Sequence, residues 1–268
     1  MFYIGIVENN NDPLKLGRLQ VRIYGVHTFN REDVELNYLP TENLPWAMPI
    51  FPISNSCIDG ISDFTGIVKG TKVIICFMDS YQQMPFYIGV LPFALDKEVD
   101  FSNGFTDPNS VHPNSDFINE SSISRLARNE NIDKTYVKQR NDNRTSWSDG
   151  QEPESAYNAQ YPYNRVFETE SGIVIELDST PNNVRINIWH PSGSYTEIDN
   201  NGSKTEKTVG TNIEINNDKT VIVKGNYKTE VDGEVNIKTS GIKINTDGDI
   251  EVTTSGNITL NATRISLN

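Results

Sequence analysis

The chain has 268 residues, 36% of them apolar, a formal net charge of -13 and two cysteines. That length allows one or two domains, and the acidity argues against holding nucleic acid through phosphate contacts, which need clustered Lys and Arg. From Gly202 to Asn268 there are eight basic and nine acidic residues, so nearly all the negative excess lies before Gly202.

Residues 1–95 predict a small closed β-barrel. Phe2–Glu8 reads as a first strand, and Gly17–Gly25 (Gly-Arg-Leu-Gln-Val-Arg-Ile-Tyr-Gly) alternates with period two. Asn9-Asn10-Asn11-Asp12-Pro13 is a turn cluster between them. Trp46–Ile53 is extended, Gly70–Met78 holds a continuous apolar run expected to be buried on both faces, and Phe86–Leu91 completes the set. Short strands with Gly and Pro punctuation favour closure into a barrel. Cys57 and Cys76 stand in apolar surroundings and read as buried free thiols. The start lacks the basic run and cleavage site of a signal peptide, and no apolar run reaches membrane-span length.

Residues 96–160 are rich in Asn, Ser, Asp and Pro and predict an extended linker that packs along neighbouring surfaces. Within it, residues 121–129 predict a short helix with a Ser N-cap. Residues 161–201 predict a β-hairpin at the entry to the C-terminal stretch. Strands at Gly172–Leu177 and Val184–Trp189 flank Asp178-Ser179-Thr180-Pro181-Asn182-Asn183.

Residues 202–268 are periodic. Turn residues recur at Gly202, Gly210, Asp218, Gly225, Gly233, Gly241, Gly248 and Gly256, seven or eight apart. Apolar pairs two apart fall between them: Ile213 and Ile215, Val221 and Val223, Val235 and Ile237, Ile242 and Ile244, Ile250 and Val252, Ile258 and Leu260, Ile265 and Leu267. Residues i and i+2 share one side of a strand, and glycine at Gly210, Gly225, Gly233, Gly241, Gly248 and Gly256 would permit a sharp corner after each strand. A single-chain solenoid needs coils of about 18 residues or more to enclose an interior, whereas these straight segments run to about five residues. Three copies, each supplying one side of a triangular prism, would close a narrow core of β-branched pairs. The stretch has no Pro, Phe or Trp, as such a core requires. Strands stacked at about 4.7 Å give a shaft on the order of 40 Å long. The architecture predicted is therefore all-β: barrel, linker, hairpin, and a trimeric, triple-stranded β-helix.

Several stretches together carry a resemblance: Phe2–Glu8, Asp12–Ile23, Pro40-Thr41-Glu42-Asn43-Leu44-Pro45-Trp46, Val68–Val73, Tyr157–Asn164, Glu168-Thr169-Glu170-Ser171-Gly172 and His190-Pro191-Ser192-Gly193. These residues resemble the central spike proteins of contractile phage baseplates (the T-even tail-associated lysozyme family) and the valine-glycine-repeat spikes of type VI secretion. The resemblance implies an oligonucleotide/oligosaccharide-binding (OB) barrel, a homotrimer located in the virion tail baseplate, and a part in piercing the host outer membrane. The alternative it leaves open is the spike of a type VI or other contractile injection system. A chain that starts directly on the barrel favours the phage particle.

The T-even relatives carry a lysozyme domain between barrel and prism. A muramidase needs two spaced carboxylates, one raised in pKa by an apolar pocket. Here Glu120, Asp133 and Glu152 lie in sequence expected to be polar and unstructured, so no catalytic residue is assigned and no enzymatic activity is expected. His27, His112 and His190 are scattered without metal-ligand spacing, so no metal or cofactor is assigned. The barrel's Lys15, Arg18, Arg22, Lys69 and Lys72 are balanced by acids. Its surface is therefore expected to grip baseplate hub and tail-tube proteins, together with the linker, and not nucleic acid. The blunt end at Ile265, Leu267 and Asn268 is expected to dock a separate tip protein.

Overall fold

Five strands close on themselves at the N-terminus: β1 (Tyr3–Asn9), β2 (Leu19–Ile23), β3 (Trp46–Pro49), β4 (Lys72–Phe77) and β5 (Pro85–Leu91). The order around the barrel is β1-β2-β3-β5-β4, with every pairing antiparallel except β3 with β5. The computed structural model describes residues 1–29, 38–53, 58, 66–92 and 121–264. The interior is filled by Val7, Leu19, Val21, Ile23, Ala47, Val73, Ile75 and Tyr87, and the Tyr87 hydroxyl donates to the Gly17 carbonyl at 2.5 Å.

Three local expectations are corrected. The run in β4 is buried on one face only: Val73 and Ile75 point in, while Ile74 and Cys76 stay half-exposed, because a barrel strand has one interior side. Cys76 is accordingly a half-buried free thiol, and Cys57 lies outside the described residues. In β2 all five residues are buried, although period two puts Gln20 and Arg22 on the outside. Residues 38–44 cover that face: Gln20 donates to Leu44 O at 2.9 Å, and Arg22 donates to Leu39 O at 2.8 Å and makes a two-pronged contact with Glu8 at 2.6 and 3.0 Å.

Residues 121–160 are more structured than an extended linker. They form α1 (Arg125–Arg128), a 3-10 turn at Ile132–Lys134, α2 (Tyr136–Asp142), and a minimal hairpin of β6 (Ser146–Trp147) with β7 (Gly150–Gln151). The predicted helix is present with Ser124 as its N-cap, the side chain accepting from Leu126 N. Few apolar residues suffice because they share a core with the following sheet: Leu126, Tyr136 and Val137 pack with Val174, Trp189 and Tyr195.

That sheet is an antiparallel meander of β8 (Asn164–Glu168), β9 (Val174–Asp178), β10 (Arg185–Trp189), β11 (Tyr195–Ile198) and β12 (Lys204–Lys207). The predicted hairpin is its β9–β10 pair, and β12 extends the sheet past residue 202. Gly172 and Gly193 hold the β8–β9 and β10–β11 turns at φ 83° and 93°, a region that only glycine occupies without strain.

The chain divides into two units, Met1–Ile213 and Glu214–Asn268. In the second unit the described backbone has no regular structure between bends at 217, 224–225, 232–233, 240, 247–248, 255–256 and 263, and no strand pairing occurs among its described residues.

Candidate assembly surface

The alternation in β9 and β10 is turned round relative to an ordinary half-buried sheet. The inward residues include Glu176, Asp178, Arg185, Asn187 and Glu197, all buried. Arg185 Nη2 lies 2.7 Å from Glu176 Oε1, and its Nη1 donates to Glu197 at 3.2 Å. Arg140 from α2 reaches Glu197 at 2.8 Å and stacks over Tyr195 at 4.0 Å. The Tyr136 hydroxyl donates to Glu176 and accepts from Arg185. Burial and then the Glu176 charge hold that phenol well above its ordinary pKa. Asn164 and Asn187 also donate to Glu176. A ring stack of Tyr136, Trp189 and Tyr195, with centroids 5.1 and 6.1 Å apart, flanks the network. Buried charges are tolerable only when so partnered, and residues 121–160 add Arg140 and Tyr136 to the partners that the sheet itself supplies. The polar composition of that stretch is thus matched to the face it covers.

The outward face carries two cross-strand ladders. Leu177, Ile186 and Ile198 are in register, as are Phe167, Ile175 and Ile188. Phe167 is 66% exposed and Ile188 49%. The rows end in Arg165 on β8 and in Lys204 and Glu206 on β12.

The predicted prism residues continue this theme. Ile213, Ile215, Val221, Val223, Val235, Ile237, Ile242, Ile244, Ile250, Val252, Ile258 and Leu260 are all exposed, from 46% at Val223 to 90% at Ile215. Ile265, Leu267 and Asn268 lie outside the described residues. The bends coincide with, or immediately precede, the predicted corners, yet none of Gly210, Gly225, Gly233, Gly241, Gly248 and Gly256 takes a left-handed φ. A Cβ at the first five would meet nothing within 4 Å of this chain. What shapes the distal corners is a threonine that sequence reading passed over. The hydroxyls of Thr239, Thr246 and Thr254 accept the N–H of Gly241, Gly248 and Gly256 at 3.1–3.2 Å. The signal was the Thr-x-Gly spacing at each of these corners.

On the barrel, Arg18 is held by Asp12 at 2.6 Å and stacks over Trp46, and Arg22 is sealed against Glu8. Two of the five basic residues are therefore neutralised locally, while Ile4, Met48, Ile50, Ile88 and Val90 form an exposed apolar exterior. Among the described residues no cluster of His, Cys, Asp or Glu could hold a metal, and no helix is long and apolar enough to cross a membrane. Asp133 is exposed and Glu120 and His112 lie outside the described residues. Glu152, expected in unstructured sequence, is buried instead. It accepts from Tyr195 Oη at 2.5 Å, Lys207 Nζ at 2.8 Å and Thr145 N at 3.0 Å. Burial alone would raise its pKa, but these donors keep it below the ordinary value, the wrong direction for a glycosidase acid.

The Gp5 N-terminal OB domain family matches residues 25–183. The chain belongs to this family. The match runs beyond the barrel, through α1 and α2 to the end of β9. The chain is also similar to Protein Gp5 of Vibrio phage KVP40, 31% identical over 87% of this chain and 63% of that protein. A second relative is the pre-baseplate central spike protein Gp5 of Enterobacteria phage T4, 35% identical over 42% of this chain and 20% of that protein. The chain thus spans less than two thirds of either relative. The five-stranded closed barrel is the OB domain of the family.

Proposed function

We propose that this Gp5-family chain is a structural, homotrimeric central spike of a contractile phage tail baseplate. Residues 202–268 would wind with two other copies into a triple-stranded β-helix. Its core would be the pairs from Ile213 and Ile215 through Ile265 and Leu267. Its corners would be at Gly210, Gly225, Gly233, Gly241, Gly248 and Gly256, where small residues leave room for neighbouring copies. The observation that carries the reading is the recurrence of exposed aliphatic pairs every seven or eight residues, which the described chain leaves uncovered. Exposing that much aliphatic surface in water is unfavourable.

The barrel's apolar exterior would grip hub and tail-tube proteins, plugging the tube. The shaft would transmit thrust to the host outer membrane, with Ile265, Leu267 and Asn268 seating a separate tip protein. Neither nucleic acid nor a cofactor takes part. Mass measurement under native conditions at micromolar concentration tests the scheme. A trimer is expected, and a monomer or dimer overturns it.

A further inference from the structure

Resting on the trimer reading, we infer that Thr229 forms a single polar layer inside the shaft, and that this layer fixes which repeat of one copy lies level with which repeat of the others.

The series of aliphatic pairs has one gap. Successive pairs begin seven or eight residues apart, except that the pair at Val221 is followed only by the pair at Val235, two steps on. One repeat therefore lacks a fully aliphatic pair. The residues at its place are either Lys228 with Glu230 or Thr229 with Val231.

Side-chain contacts decide between them. Lys228 and Glu230 meet at 3.0 Å, so they share one side of the chain, and alternation puts Thr229 and Val231 on the other. The same kind of contact marks the polar side of two intact repeats. Asn216 donates to Glu214 at 2.8 Å, alternating with Ile213 and Ile215, and Thr253 donates to Glu251 at 3.1 Å, alternating with Ile250 and Val252. The missing pair is Thr229 with Val231, and Val231 is exposed like the other pair members. Thr229 is thus the one hydroxyl in a ladder of Ile, Val and Leu.

Three copies would bring three Thr229 hydroxyls to one level, each donating to the next around the axis and accepting from the one before. A buried hydroxyl is tolerated when so paired and is costly when it faces aliphatic side chains. The other layers are nearly alike, so a copy displaced by one repeat would still bury its Ile and Val residues. Thr229 would register the error, because it would land beside Val221 or Val235 of a neighbour. A lone polar residue in an apolar seam sets alignment in this way, at some cost in stability.

The test refolds two full chains together. One is the parent. The other carries Val221→Thr with Thr229→Val, which moves the polar layer by one repeat, and heavy-isotope labelling separates the two by mass. Parent refolded with labelled parent sets the random distribution, and native mass is the readout. The expected result is trimers of each chain alone in excess over random mixing, by about tenfold for each mismatched hydroxyl layer. Random mixing in intact trimers overturns the role of Thr229 and leaves the repeat-based trimer standing. A monomeric parent overturns both. If the double variant does not assemble, labelled Thr229→Val refolded with the parent gives the same readout, because a mixed layer leaves a hydroxyl without its neighbour. Random mixing there equally overturns the polar layer.

Discussion

Arg185 and Glu176 meet diagonally across the β9–β10 pair, guanidinium to carboxylate at 2.7 Å, and both side chains are shut off from water. An ion pair this deep adds little over an apolar pair, but losing one member strands the other. Arg185→Met should therefore destabilise the 121–207 region by about 3–5 kcal/mol. Urea unfolding followed by Trp189 fluorescence would show it. A change below about 1 kcal/mol would mean that the network carries no such load.

Gly5 tells a steric story. A Cβ there would fall 2.4 Å from Val21 Cγ1 and 3.1 Å from the Arg22 carbonyl oxygen. One contact can be relieved by a rotamer change, but the other is backbone. Gly5→Ala should cost the barrel about 1–3 kcal/mol, the usual penalty of overpacking, seen as a lower melting temperature. Gly89→Ala, where nothing lies within 4 Å, is the matched control.

His27 predicts an acid response. Burial, and after it the Arg22 charge, pulls its pKa down to about 4, and its Nδ1 accepts the Ile23 N–H. In the unfolded chain it titrates near 6.5. Between those values the unfolded state holds the extra proton, so stability is intact above pH 6.5 and declines as pH falls towards 4. The slope is at most about 1.4 kcal/mol per unit, less for a half-buried ring. His27→Gln, which can still accept the Ile23 N–H, should flatten the melting-temperature profile between pH 6.5 and 5. A parent and variant with parallel profiles would contradict this.

Ile250→Asp probes the repeats. If three copies share an interior, three carboxylates arrive in one layer and resistance to protease falls sharply, whereas Lys243→Asp leaves it unchanged. Equal digestion of the Ile250→Asp variant and the parent would refute a shared core.

Much of the barrel was legible in sequence, because its strands are short, apolar and bounded by Gly and Pro. Gln20 and Arg22 misled because period two reports the faces of a strand and not what covers them. Residues 121–160 were harder. Their polar composition signals solvent exposure unless the opposing face is also polar, and that face is built from Glu176, Arg185 and Glu197, distant in sequence. The aliphatic pairs were visible from spacing alone, and the Thr239, Thr246 and Thr254 corners, though marked by a Thr-x-Gly spacing, took on meaning only with their hydrogen bonds.

The strict charge–aliphatic alternation of Ile175-Glu176-Leu177-Asp178 also has a kinetic consequence. When β9 and β10 pair, slippage by a single residue is a mistake open to them. Here such a slip would thrust Glu176, Asp178 and Arg185 among hydrocarbon and strand Leu177 and Ile186 against the polar cover. The misaligned pairing is penalised as soon as it forms, so the sheet proofreads its own alignment.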